Sequence, residues 1–198
     1  DPGARGYAGL AARVAASGAE AVFLGGLLDT NAAQLVRDLR RALPADVDLL
    51  GPDGLTPLPL LVERAGSAAR GVFVSLPGLV TEELPPRGEA FVRRFAGTRA
   101  GDEIEPSAVY AAQAADVVLD AIGRSDGSRA SVLAELFRTR VRGGILGDFG
   151  FDARGDITES PITVLRVARA GTSRRTASVE GGDVVRVSRP RAALVGDE

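Results

Sequence analysis

The chain has 198 residues, a net charge of −2 and 45% hydrophobic residues, enough apolar material for one domain or two small lobes with a real core. That charge gives no electrostatic case for nucleic acid, and no apolar run reaches the roughly 18–20 residues of a membrane helix. The chain holds no Cys, His, Met, Trp or Lys, so all 24 basic residues are arginine; this removes disulfides, the histidine general base, the Ser-His-Asp triad, Schiff-base lysine and the Walker lysine, and neither an enzyme, a metal site nor a cofactor is expected.

In chain order, residues 5–17 read as a helix with Leu10, Ala11 and Val14 on its apolar face and Gly18 as its C-terminal cap. Residues 20–25 form a short buried strand. Residues 30–43 form an amphipathic helix. Its apolar stripe is Ala32, Leu35, Val36, Leu39 and Leu43, while Arg37, Asp38, Arg40 and Arg41 face water and Pro44 ends it. A strand at 47–51, a helical stretch near 59–65 and a strand at 71–75 follow. This alternation predicts a parallel sheet with helices packed against it.

The pattern changes after Pro77. A loop over 78–88 contains the Pro85-Pro86 pair, and residues 88–97 form a helix burying Phe91, Val92 and Phe95. Pro106 opens a longer helix to about Ile122, with Tyr110, Ala114, Val117, Val118, Ala121 and Ile122 inward. Ser128 caps a short helix through Phe137. Residues 144–157 read as a hairpin, 162–167 as a β-branched strand, and 183–188 as one further strand in an Arg- and Gly-rich tail that includes Arg174-Arg175. Asp148, Asp152 and Asp156 lack EF-hand spacing, and the hairpin explains them without metal. The expected division is 1–74, 75–161 and 162–198. Asp1-Pro2-Gly3 opens without Met or signal peptide and reads as the start of a processed or truncated product.

Several segments together carry a resemblance: YAGLAARVAASGAEAVFLGGLLDTNAAQLVRDLRRAL, LLGPDGL, AARGVFVSLP, PSAVYAAQAADVVLDAI and GILGDFGFDARGDITESPITVLRV, spanning about residues 5–168. In order and spacing the chain resembles the C-terminal half of the type I periplasmic solute-binding proteins, those similar to the leucine/isoleucine/valine-binding protein of ABC importers. The resemblance implies a two-lobed α/β fold that closes on a small amino-acid-like ligand. Residues 1–74 would belong to the second lobe, 75–161 to the first, and 162–198 would be a return hinge strand and tail. It further implies an extracytoplasmic location, periplasmic or as a cell-surface lipoprotein, and an ABC permease as partner. The family's first half would be supplied by another chain, removed, or replaced by self-association through open sheet edges. Two other readings keep the fold: a sensory domain fused to a regulator or kinase, and a fragment that no longer binds.

The ligand candidates follow from the same comparison. Gly25-Gly26 matches no phosphate-loop motif; it is either a tight strand-to-helix turn capped by Asp29 or Thr30, or backbone close to a ligand at the carboxyl end of a strand. Leu27 stands where the family often places an aromatic. Asp53, with Gly54 beside it, stands where the family's acid meets the ligand ammonium; taken alone, Pro52-Asp53-Gly54 is a common turn sequence. Aspartate is shorter than the glutamate typical there, which widens the pocket or admits a water. Tyr110 starts the long helix and is either core or a cleft contact.

Overall fold

A computed structural model describes residues 3–98, 106–168, 178–179 and 181–189. The chain divides into two compact units, the first made of Asp1–Pro77 with Ile162–Ser188 and the second built on Gly78–Pro161. Arg174 and Arg175 lie outside the described residues.

In the first unit, α1 (Ala8–Ala16), β1 (Ala21–Phe23), α2 (Ala32–Ala42), β2 (Asp48–Pro52), α3 (Leu58–Ala65) and β3 (Phe73–Pro77) alternate as the apolar patterning requires. The chain returns later as β6 (Ile162–Val167), β7 (Ser178–Val179) and β8 (Gly182–Ser188). The sheet order is β1-β2-β3-β6-β8-β7; β1, β2 and β3 run parallel, and the returning strands pair antiparallel. Register aligns Gly51, Val74 and Leu165 in a fully buried row. Phe23, Leu50, Phe73 and Arg166 form a row of the alternate pleat. There the Arg166 guanidinium sits 5.2 Å from the centroid of the Phe73 ring, a cation–π contact.

Three expectations need correction here. The first helix starts at Ala8, and only Ala11 of its apolar face is buried; Leu10 is exposed. The strand after it lies at the edge of the sheet rather than buried: among the described residues β1 pairs only with β2, and Phe23 is 64% exposed. Asp38 does not face water. It is only 7% exposed, because its carboxylate accepts the Tyr7 N–H at 2.7 Å and the Gln34 side-chain amide at 2.9 Å, with Arg41 at 3.0 Å. Those bonds hold its pKa below the ordinary carboxylate value, the Tyr7 amide contributing most.

The second unit contains α4 (Pro86–Ala96), α5 (Pro106–Arg124), α6 (Arg129–Arg138), β4 (Arg140–Gly144) and β5 (Gly147–Gly150). Phe91, Val92 and Phe95 on α4 are half-buried rather than buried, with Phe91 and Phe95 stacked at 5.6 Å. On α5 the buried line is Val109, Gln113, Val117 and Ala121, while Ala114, Val118 and Ile122 are exposed. Gln113 enters the interior because its side-chain oxygen accepts the Leu146 N–H. The hairpin begins earlier than expected, at Arg140, and turns at Ile145-Leu146. Asp148 braces it by accepting the Gly143 N–H at 2.6 Å, and Asp152 closes the next turn by accepting the amides of Arg154 and Asp156, both at 2.9 Å.

Ser128 caps α6 as its sequence suggests, its hydroxyl accepting the Ser131 N–H at 3.2 Å. Ser128→Ala is expected to lower stability by about 1 kcal/mol, measurable by urea denaturation; an unchanged midpoint would show the cap to be idle. Among the described residues, no helix is long and apolar enough to cross a membrane.

Candidate functional site

Because β1, β2 and β3 run parallel, their carboxyl ends lie along one edge of the first unit's sheet, where open α/β folds bind ligands. Leu24 extends β1 by donating to the Leu50 carbonyl at 2.7 Å, and Gly26 turns the chain by donating back to Leu24 at 3.0 Å. The Gly25 amide has no acceptor among the described residues. Thr30, not Asp29, closes this turn: its hydroxyl oxygen takes the Leu27 N–H at 3.3 Å and lies 3.1 Å from the Leu27 carbonyl. Asp29 instead reaches Arg64 at 3.9 Å. Asn31, at φ 70°, sets the left-handed step from which α2 starts. Leu27 is left 52% exposed.

The loop after β2 is a single 3-10 turn, Asp53–Leu55. The Asp53 carbonyl accepts from both the amide and the hydroxyl of Thr56, at 2.8 and 2.6 Å. Leu55 is fully buried and fills the space a side chain on Gly51 would need. Gly54 lies against the other loop: a Cβ there would stand 2.9 Å from the Gly26 carbonyl oxygen and overlap the Leu27 side chain. Three sequence candidates thus meet, Gly26 and Leu27 on one loop with Gly54 on the other, and Gly25 and Asp53 are their immediate chain neighbours. The Asp53 side chain is exposed, and its carboxylate has no hydrogen-bond or ion-pair partner among the described residues. A carboxylate on one loop and an exposed leucine on the loop it abuts can hold a cationic group next to an apolar one.

Tyr110 belongs to the second unit. Its hydroxyl accepts the Leu79 N–H at 2.6 Å, and a Cβ on Gly78 would run into that same hydroxyl. Burial pushes its phenol above the ordinary value, with the Leu79 bond acting against the shift. Sequence reasoning missed this tie, which joins residues 31 positions apart.

A parallel α/β unit with two abutting loops at its strand ends has the architecture of a small-molecule receptor. The chain belongs to the periplasmic binding protein family, whose sequence model matches residues 1–172. No curated protein matches the chain. Among solved structures it is similar to a leucine-binding protein from Thermotoga maritima, with 21% identity, a TM-score of 0.73, and coverage of 95% of this chain and 50% of that one. A branched-chain amino acid substrate-binding protein from Streptococcus pneumoniae, in complex with isoleucine, matches at 19% identity and a TM-score of 0.64 over 95% of this chain and 50% of that one. An ABC-transporter solute-binding protein from R. palustris, in complex with benzoate, matches at 18% identity and a TM-score of 0.60 over 92% and 47%. The chain therefore spans about half the length of the structures it matches.

Proposed function

We propose that the protein is part of an extracytoplasmic solute-binding protein of an ABC importer, non-enzymatic, working with a permease and binding a small zwitterionic ligand of the amino-acid type. In this reading the first unit is part of the receptor's second lobe and the second unit part of its first. In the first unit the ligand-lining groups are Gly25, Gly26, Leu27, Asp53 and Gly54.

The observation that carries the reading is the unpartnered Asp53 carboxylate at the strand-end loops. A carboxylate attracts an ammonium and repels another carboxylate. Solved relatives are in complex with isoleucine in one case and benzoate in another; only the first of these ligands carries an ammonium for Asp53 to meet. The exposed Leu27 offers an apolar surface to a side chain but no hydroxyl or ring.

Calorimetry on the full-length protein against a panel of amino acids, benzoate and 4-hydroxybenzoate tests this. An amino acid is expected to bind, and Asp53→Asn is expected to weaken it at least tenfold, about 1.4 kcal/mol or more. Binding of benzoates alone, or tighter binding by Asp53→Asn, would overturn the assignment.

A further inference from the structure

At the opposite end of the same sheet, the first unit holds a concave surface. It is an open cleft of about 620 Å³ where α2 ends, β2 begins and the chain leaves α3 for β3. Four arginines line it, Arg37, Arg40 and Arg41 from α2 and Arg70 from the segment before β3, and the lining contains no acidic residue. The parallel strands place it at their amino ends, whereas the Gly25–Leu27 and Asp53–Gly54 loops follow their carboxyl ends.

The arginines are held without being used up. Arg37 donates to the Arg64 carbonyl and to Gln34, Arg40 donates to the Val47 carbonyl at 2.7 Å, and Arg41 meets Asp38 at 3.0 Å. Each guanidinium has five N–H donors, so the bonds of Arg37 and Arg41 fix their planes and leave donors over. Arg70 is exposed, and its guanidinium has no partner among the described residues. One ordinary role accounts for part of the cluster: Arg40 and Arg41 sit in the last turn of α2, where cations suit the helix dipole. That account leaves out Arg37, which lies further up α2, and Arg70, which lies outside any α-helix. Like charges gathered around one cavity repel one another, and among their bonding partners only Asp38 carries a negative charge.

We propose that this cleft is a second binding site, for a small soluble polyanion carrying two or more phosphate or carboxylate groups. Guanidinium planes bind such groups in bidentate pairs. Arginines approaching from α2 on one side and from the β3 lead-in on the other suit an anion that enters a concavity rather than a flat lipid surface. The volume is that of a small-molecule site.

The test is calorimetric titration of the protein with pyrophosphate and with citrate at fixed ionic strength. One equivalent of at least one of them is expected to bind. Arg70→Gln is expected to weaken it at least threefold and Arg41→Gln with Arg70→Gln at least tenfold, with circular dichroism confirming that both variants fold. A control pair on α4, Arg93→Gln with Arg94→Gln, removes the same charge from the other unit and is expected to leave the affinity unchanged. The proposal is overturned if neither anion binds, if the control pair weakens binding as much as the cleft pair, or if phosphatidylglycerol vesicles retain the protein while neither soluble anion does.

Discussion

Asp38→Ala is expected to destabilise the first unit by about 2 kcal/mol, the cost of leaving part-buried partners of a charged acceptor unpaired. Asp38 ties two stretches of chain together: the Tyr7 amide ahead of α1, and its own helix, through Gln34 and Arg41. Arg41 is 72% exposed at its side chain, so its ion pair adds little; the cost comes mainly from the Tyr7 N–H, which the substitution strands near the α1–α2 contact. Asp38→Asn keeps an acceptor for that amide and is expected to cost about half as much. The pH dependence separates the two effects. The carboxylate is held below its ordinary value, so its contribution is complete above about pH 4 and is lost as pH falls through the lowered native value. Urea denaturation of the wild type should show stability falling on the acid side. Asp38→Asn should show a shallower fall, and identical acid limbs would mean that the carboxylate contributes nothing as an anion.

Asp38 also marks where sequence reading stops. Its helical position places it with Arg37, Arg40 and Arg41 on the polar side of α2, and nothing local reveals that an amide 31 residues upstream would come to meet it. The strands β2, β3 and β6 were legible because their β-branched and apolar runs are dictated by burial on the sheet. The Gly25–Leu27 turn and the Asp53–Gly54 turn were legible as separate loops. That they touch follows from the parallel pairing of β1 with β2, which periodicity alone does not specify. On α5 the apolar residues cover more of the helix than one buried stripe, so the pattern admits several faces. The structure selects the line through Gln113, whose side chain finds a backbone partner at Leu146. The arginine cleft was hidden for a related reason: three of its members read as a solvated helix face, and Arg70 joins them only once β2 and β3 are side by side.

Gly78→Ala is expected to cost about 2–4 kcal/mol, the sum of two separable terms. Gly78 opens the second unit at φ 97°, a backbone region that side-chain-bearing residues avoid, and that strain alone is worth about 1–3 kcal/mol. The second term is steric. An alanine methyl would occupy the position of the Tyr110 hydroxyl, so the ring must leave and the Leu79 N–H loses its acceptor. Gly78 also donates to the Pro161 carbonyl at 2.7 Å, so this point joins both ends of the second unit's main segment. Tyr110→Phe, which removes only the hydroxyl, is expected to cost about 1 kcal/mol. Because burial raises the Tyr110 phenol, its contribution is complete below about pH 10 and declines as pH rises through the native value; Tyr110→Phe should lack that alkaline loss. A double-mutant cycle isolates the contact: in a Tyr110→Ala background the steric term vanishes, and Gly78→Ala should cost about 1 kcal/mol less than in the wild type. Strict additivity in that cycle would show that the two residues do not meet.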